Sequence, residues 1–221
     1  MSDIIYYCGN KNYSSWSLRG WLALKKAGID FETKMIPLGG EISQKQLYQI
    51  SPNGKVPAID YHGLLFSESL AICELAAQIE PKLMPEDQKA IIWCRAISCE
   101  MHSGFQTVRS QMPMNCNATN RNVSYHQKLV EEIERILTIW RQTIDRFADI
   151  DQGPFLFGRF TIADAMYAPV VSRFHTYNIK CDPSTQNYIS AVLNDEHVKQ
   201  WYHDASKETQ YIPNSEYGYA R

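Results

Sequence analysis

The chain has 221 residues, 44% of them apolar, which is enough to bury the core of one large domain or two small ones. Its 22 basic and 24 acidic residues give a net charge of -2 without any basic run, so neither nucleic acid nor an anionic membrane is an expected partner. The first apolar run, Ile4 to Cys8, is too short for a signal peptide or a membrane span, and we expect a cytoplasmic protein.

Residues 1–80 alternate between strand and helix patterns. Strands are predicted at Asp3 to Cys8 and at Phe31 to Ile36, with a helix from about Ser17 to Ala27 between them. Gly39-Gly40 marks a loop before a short segment from Gln44 to Ile50. This alternation predicts a small α/β layer with a mixed sheet.

Residues 54–72, GKVPAIDYHGLLFSESLAI, predict an extended edge, a hairpin and a helix start. Val56 precedes Pro57, so the backbone there is extended and one amide donor is missing. Glu68 and Ser69 open the helix, whose free N–H groups can bind a carboxylate. An incoming peptide could pair with the backbone at Val56 while the helix start holds its carboxylate, although an ordinary hairpin and N-cap would have the same sequence.

The segment from Asn12 to Leu24 carries three serines and a tyrosine where the first helix starts. A hydroxyl there can donate to a sulfur atom, and the helix dipole favours negative charge on that sulfur. A free thiol has a pKa of about 8.5 and is mostly protonated at neutral pH, so stabilising its thiolate makes it a ready nucleophile.

Helical periodicity dominates the second half of the chain. Residues 81–88 carry prolines and no periodicity, and they predict a linker between a domain at 1–80 and an all-α domain at 89–221. Helices are predicted at Ala90 to Met112, Val123 to Phe147, Ile162 to Tyr177, Tyr188 to Leu193 and Asp195 to Lys207. Thr161 and Asp164 are spaced as a capping box for the third of these helices.

The run Ser14-Ser15-Trp16-Ser17-Leu18-Arg19 resembles the zeta-class pattern of cytosolic glutathione S-transferases: two serines, a cysteine, a serine, an aromatic and an arginine. The residues from Val56 to Ser69 resemble the glutathione-binding half of the same family. The segments NYSSWSLR and EMHSGFQTVRSQMPMN are closer in sequence to bacterial-type members of the family. The resemblance extends over essentially the whole chain. It implies an N-terminal thioredoxin-like domain followed by a C-terminal helical-bundle domain.

The resemblance also implies a glutathione site. Val56 is the residue that pairs with the peptide, Pro57 is a cis-proline, and Glu68 and Ser69 bind the γ-glutamyl group. Lys55 corresponds to a position whose side chain can reach glutathione, and a solvated loop lysine is the alternative.

The same resemblance assigns the thiolate-activating hydroxyl to Ser14, with Ser15 as its neighbour. N-capping explains a serine at this place equally well. Tyr13 is a second candidate, and Cys8 would instead make a thiol-transferase of the mixed-disulfide kind. Trp16 stands where zeta-class enzymes have cysteine, which argues against isomerase activity of the maleylacetoacetate type.

The acceptor pocket is expected in the helical half. On one predicted helix His102, Phe105 and Arg109 fall at i, i+3 and i+7, and such a face suits an apolar acceptor with a carbonyl or carboxylate. The alternative is core packing by Phe105 and local pairing of the other two. The six histidines and six cysteines show no metal-ligand spacing, so no metal is predicted.

These observations predict a glutathione S-transferase, a detoxification enzyme in which the thiolate of glutathione attacks a small electrophilic substrate. A glutathione-dependent isomerase and a catalytically silent glutathione-binding protein are the alternatives. Family resemblance implies a homodimer, with contacts from the Glu68 to Ile79 helix and the Ala90 to Met112 helix.

Overall fold

The N-terminal part of the molecule is built on a four-stranded mixed sheet of order β2-β1-β3-β4. The computed structural model describes residues 3–38 and 44–218; the predicted loop at Gly39-Gly40 lies outside them. The strands are β1 Ile4–Cys8, β2 Glu32–Met35, β3 Ala58–Tyr61 and β4 Leu64–Ser67. β1 is parallel to β2 and antiparallel to β3, which forms the predicted hairpin with β4.

The described helices are more numerous in the second half of the chain. They are α1 Ser15–Lys26, α2 Gln44–Ile50, α3 Ser69–Ile79, α4 Gln88–Ser103, α5 Gln106–Gln111, α6 Gln127–Phe147, α7 Ile162–Thr176, α8 Pro183–Asn194 and α9 Glu196–Ala205. No described helix has the length and apolar character needed to cross a membrane.

The buried face of β1 shows why the sheet and α1 pack together. Ile4, Tyr6 and Cys8 alternate with half-buried residues along the strand, as the period of two requires. The Tyr6 hydroxyl donates to the Ser17 carbonyl at 2.6 Å, which ties the strand to the first turn of α1. Tyr6 is therefore a core residue.

The predicted single helix from Ala90 to Met112 is wrong, because the chain breaks between α4 and α5. The amide of Gly104 closes the last turn of α4 on Glu100, and a Cβ at Gly104 would lie 2.8 Å from the Glu100 carbonyl oxygen. Phe105 follows with φ of 60°, in the left-handed region that ends helices. The i, i+3, i+7 face predicted for His102, Phe105 and Arg109 does not exist.

Helix α7 is the buried centre of the helical half and also packs on α1. The predicted capping box is present: the Asp164 carboxylate accepts from the Thr161 N–H at 2.7 Å and the Thr161 side chain is bonded to the Asp164 backbone. Because α7 contacts both halves, it fixes the side chains that line the cleft between them.

The segment after α9 binds the loop before α1. The Glu208 carboxylate accepts from the backbone N–H groups of Lys11 and Asn12 at 2.6 and 3.0 Å. Further along, the Glu216 carboxylate accepts from the Tyr13 hydroxyl at 2.8 Å. The far end of the chain thereby holds the loop that carries the serine motif.

Candidate active site

A cavity of about 300 Å³ contains all five residues predicted to bind glutathione. It is lined by Trp16, Asn53, Lys55, Val56, Pro57, Glu68, Ser69 and His102. We call it the Pro57 cavity. Lys55 and Glu68 bring one charge of each sign to its wall, which suits a zwitterionic ligand.

The backbone at Val56 is free to pair with a peptide. The Val56-Pro57 bond is cis, as the resemblance implied. Within the described chain neither the N–H nor the C=O of Val56 forms a hydrogen bond. Both groups are therefore available for strand addition.

Ser69 presents an unused hydroxyl to this cavity. It is the first residue of α3 and only 1% exposed, and within residues 3–38 and 44–218 its Oγ has no hydrogen-bond partner. Because buried polar groups are normally paired, such an atom at a helix N-terminus indicates a bound acceptor such as a carboxylate. Glu68 precedes it with φ of 96°, a conformation that non-glycine residues rarely adopt outside functional sites.

His102 closes the cavity from α4. Its Nε2 lies 3.4 Å from the Glu68 carboxylate, and its ring meets the Trp16 ring edge to face with centroids 5.3 Å apart. Burial lowers the His102 pKa; Glu68 opposes that shift and Arg19 and Arg109 add to it. The lowered pKa favours the neutral form of the His102 imidazole.

The serine motif sits at the start of α1. Ser14 is the N-cap: its Oγ accepts from the Ser17 N–H at 3.4 Å and lies 2.7 Å from the Ser17 Oγ. The Ser17 Oγ also accepts from the Gly9 N–H at 3.0 Å. A capping role for Ser14 is thus present in the structure, and its role toward sulfur stays a prediction.

Tyr13 and Cys8, the two other candidates for a role at the glutathione sulfur, lie in surroundings that do not suit that role. The hydroxyl of Tyr13 donates to Glu216, and burial together with that carboxylate raises the Tyr13 pKa. Cys8 is buried in the sheet, and burial raises the pKa of its thiol to about 12. Neither group favours a thiolate at this place.

The predicted acceptor residues do not form one surface. His102 lines the Pro57 cavity, but Phe105 is buried in the core because the chain turns inward after α4. Arg109 turns back over the end of α4, where its guanidinium donates to the carbonyls of Met101 and, at 2.9 Å, Gly104. Arg109 therefore closes the C-terminus of α4 as well as facing the cleft.

A second cavity of about 200 Å³ is also lined by Trp16. It is lined by Tyr13, Ser15, Trp16, Arg109, Pro113, Met114, Arg173 and Ser215. We call it the Arg173 cavity. Ser15 belongs to this cavity, which separates it from the residues predicted to hold glutathione.

Two models of one family match the chain: the glutathione S-transferase N-terminal domain at residues 13–79 and the C-terminal domain at residues 125–191. Together they cover more than half of the sequence. The chain belongs to the glutathione S-transferase family. As predicted, it is a glutathione transferase with a thioredoxin-like domain followed by a helical domain.

Three curated relatives of this transferase are named maleylacetoacetate isomerase, one of them as probable. A probable maleylacetoacetate isomerase of Caenorhabditis elegans is 29% identical over 86% of this chain and 88% of the relative. The maleylacetoacetate isomerase of Rattus norvegicus is 26% identical over 86% of this chain and 87% of its own length.

Among solved structures, a glutathione transferase homologue from Burkholderia strain BGR1 with bound glutathione superposes with a TM-score of 0.70. It is 21% identical, over 93% of this chain and 99% of that one. This likeness concerns the fold.

Sequence reasoning missed three residues of the transferase's cleft. Trp16 lines both cavities, while Asn53 donates to the Glu68 carboxylate at 3.2 Å. Arg173 reaches the second cavity from α7, which lies far along the chain. The arginine within an otherwise apolar helix pattern was the available signal for Arg173.

Proposed function

We propose that the Pro57 cavity binds glutathione as co-substrate and that the enzyme conjugates its thiolate to a small electrophile. The backbone of Val56 pairs with the peptide backbone of glutathione, and Ser69 with the N-terminus of α3 binds the γ-glutamyl carboxylate. The observation that carries this proposal concerns two groups that line the same cavity: the buried hydroxyl of Ser69 and the backbone of Val56, neither of which has a hydrogen-bond partner in the described part of the chain.

The start of α1 activates the sulfur. The Ser14 and Ser17 hydroxyls lie 2.7 Å apart, and hydroxyl hydrogens rotate. When Ser17 donates to Ser14, the hydrogen of Ser14 is left for the sulfur, and the Gly9 N–H still binds the Ser17 oxygen. The α1 dipole adds to this stabilisation, and the thiolate then attacks the electrophilic carbon.

Calorimetry with glutathione tests the binding step. We expect saturable binding of glutathione and much weaker binding of cysteinylglycine, which lacks the γ-glutamyl carboxylate. Conjugation of 1-chloro-2,4-dinitrobenzene tests the chemical step. Absence of glutathione binding would overturn the proposal, whereas binding without turnover of any electrophile would favour the silent binding protein.

An isomerase remains the second candidate because three curated relatives are named maleylacetoacetate isomerase, one of them as probable. Trp16 stands in place of the zeta-class cysteine and fills the region between the two cavities. We therefore favour conjugation. A cis-trans keto acid that is isomerised while all glutathione is recovered unchanged would reverse this preference.

We also propose a homodimer that uses one side of both domains. Leu64 on β4, Ile79 on α3 and Ile92 on α4 are large apolar side chains left 63%, 44% and 62% exposed. Exposed apolar groups on these elements suit a partner surface. Ile92→Glu should lower the mass seen in sedimentation velocity to that of a monomer, while Tyr125→Glu should not; equal masses for both variants would refute this interface.

Localisation in the cytoplasm and a role in detoxification are proposals of the same kind. All six cysteines are free, which suits a reducing compartment. The described residues contain no cluster of metal-ligating side chains.

A further inference from the structure

The guanidinium groups of Arg19 and Arg109 contact the Trp16 ring, and the charge of Arg173 acts on both arginines. Arg19 on α1 is 0% exposed, and none of its three side-chain nitrogens has a hydrogen-bond partner in the part of the chain that the structure describes. One nitrogen of Arg109 is buried without a partner as well. A buried guanidinium almost always finds acceptors, so unused donors on two neighbouring arginines indicate a missing anion.

Trp16 joins two of these arginines. The guanidinium carbon of Arg19 lies 4.4 Å from the centroid of the Trp16 ring, and that of Arg109 lies 4.6 Å from the same ring. An aromatic face attracts a cation but does not neutralise it. The stack therefore holds the two guanidinium groups close together while their charges remain.

Arg173 completes the cluster from α7. It is 3% exposed and donates from Nε to the Met112 carbonyl at 2.8 Å and from Nη1 to the Pro169 carbonyl at 3.1 Å. Burial and the nearby charge of Arg109 lower the Arg173 pKa to about 9, which still leaves the group charged at pH 7. Carbonyl groups fix its position and leave its charge uncompensated.

The Glu132 carboxylate raises the pKa of Arg109, and the Tyr167 phenol adds a smaller effect in the same direction. Its carboxylate already accepts from the backbone N–H groups of Thr107 and Val108 at 3.2 and 2.8 Å. Burial still lowers the Arg109 pKa to about 10. Glu132 therefore does not balance the cluster.

We propose that the Arg173 cavity binds the carboxylate of the acceptor substrate, between the guanidinium groups of Arg109 and Arg173. This inference rests on the proposed function for the reaction itself, though not for the binding. None of the described residues that line the cavity is acidic. A planar carboxylate accepts two parallel hydrogen bonds from the paired N–H groups of a guanidinium.

The position of Trp16 allows one acceptor molecule to place its carboxylate in the Arg173 cavity and its reacting carbon near the Pro57 cavity. The same indole lines the Pro57 cavity and the Arg173 cavity, so a substrate lying along it reaches from one to the other. Its apolar body then contacts the indole, and Pro113 and Met114 supply further apolar surface beside the arginines. The reacting carbon is thereby directed toward the sulfur of glutathione.

A matched pair of acceptors makes this testable: 4-chloro-3-nitrobenzoate and 4-chloro-3-nitrobenzamide. In either one the glutathione thiolate attacks the ring carbon that bears chlorine. A carbon–sulfur bond forms, chloride leaves with the electron pair of the carbon–chlorine bond, and the thiol proton passes to solvent. Rates are divided by the uncatalysed rate of each acceptor, because the two rings differ in reactivity.

Binding is measured first, by thermal unfolding and Trp fluorescence of the whole protein without glutathione. We expect the benzoate to bind at least tenfold more tightly than the benzamide, since hydrogen bonds to a charged acceptor are worth about 10- to 100-fold in affinity. The corrected kcat/KM with glutathione should show the same preference. Equal binding of the two acceptors would overturn the proposal, whatever glutathione does.

Variants locate the site. Arg109→Gln and Arg173→Gln should each lower the benzoate affinity about tenfold and leave the benzamide unchanged, while Arg141→Gln on the exposed face of α6 serves as the matched control. Arg109→Lys, which keeps the charge, should recover part of the benzoate binding if the glutamine variant is poorly folded. An unchanged benzoate affinity in folded Arg109→Gln and Arg173→Gln would refute the assignment.

Sodium acetate separates the acceptor from free anions. At equal concentration we expect acetate to stabilise the protein far less than the benzoate, because acetate has no ring to lie on Trp16. Equal stabilisation by acetate would show a site for free anions and overturn the assignment to the acceptor. Failure of glutathione to bind would leave these outcomes intact, so the two proposals fail separately.

Discussion

The two cavities of the cleft share the Trp16 side chain and differ in almost everything else. Six of the eight residues that line the Pro57 cavity lie between positions 53 and 69, and this cavity carries both a cation and an anion, Lys55 and Glu68. The Arg173 cavity draws its residues from α1, α5, α7 and the segment after α9, and its charges are all positive.

This difference teaches how one cleft can treat its two ligands differently. A wall with both charges and unpaired backbone groups suits a peptide that is itself zwitterionic. A wall of arginine beside an indole suits an anion on an apolar body. The first cavity should therefore accept one fixed co-substrate, and the second should select among acceptors by charge.

The largest effect is expected in the Pro57 cavity. Ser69→Ala removes the hydroxyl that we assign to the γ-glutamyl carboxylate and should weaken glutathione binding about 10- to 100-fold. Because that hydroxyl has no hydrogen-bond partner among the residues that the structure describes, the free energy of unfolding should stay the same or rise slightly. Calorimetry and thermal unfolding measure the two quantities.

Ser190→Ala is the control, since its exposed hydroxyl bonds a helix carbonyl on α8. Binding of 4-chloro-3-nitrobenzoate to Ser69→Ala should match that of the parent protein. If glutathione binds Ser69→Ala as tightly as it binds the parent protein, the role assigned to Ser69 in the Pro57 cavity is wrong.

The next effect concerns the indole between the cavities. Trp16→Leu removes the ring that contacts Arg19 and Arg109, and it should lower the free energy of unfolding by about 2 kcal/mol. With Arg109 less firmly held, the preference for the benzoate over the benzamide should fall roughly tenfold. Trp16→Phe keeps an aromatic face and should retain most of both quantities. An undiminished preference in Trp16→Leu would mean that the arginines hold their positions without the indole.

Sequence reasoning found the first cavity because its signals are local. Val56-Pro57 and Glu68-Ser69 lie within one short stretch, and turn chemistry and a helix start are readable from neighbours in the chain. The fold class followed from the same kind of pattern, with alternating periods in the first half and helical periods in the second.

The Arg173 cavity could not be predicted from the sequence, because its residues are far apart in the chain. Arg173 faces Arg109 only because α7 packs on α1 and the chain breaks at Gly104. A helical period carried through Gly104 placed Phe105 and Arg109 on one face, whereas the left-handed turn at Phe105 sends its ring into the core. Long-range packing and one backbone turn decided these positions.

Substitution of Ser14 distinguishes a role in capping α1 from a role in activating the glutathione sulfur. Ser14→Ala should raise the pKa of the bound glutathione thiol by about half to one unit and slow conjugation ~3- to 10-fold, with glutathione affinity unchanged. Loss of the cap should also lower the free energy of unfolding by about 1 kcal/mol. The pH dependence of thiolate absorbance gives the pKa. Ser15→Ala, whose hydroxyl lies in the Arg173 cavity, should leave that pKa alone; if Ser14→Ala does so too, Ser14 is only a cap.

The smallest expected effect is a change in the pKa of His102. This side chain lines the Pro57 cavity, and the positive charge of Arg109 in the Arg173 cavity lowers its pKa. Its pKa in the free protein should lie below 6.5, because burial and the charges of Arg19 and Arg109 outweigh the attraction of Glu68.

A carboxylate bound between Arg109 and Arg173 offsets part of that positive charge, so the benzoate should raise the His102 pKa by a fraction of a unit, and the benzamide should not. NMR titration of the imidazole protons measures both values, with His102→Gln to assign the signal. In the free protein the unfolded chain takes up this proton first, so the contribution of His102 to stability is lost as the pH falls through 6.5 toward the folded pKa. A His102 pKa that moves equally with both acceptors would show that the ring, rather than the charge, perturbs it.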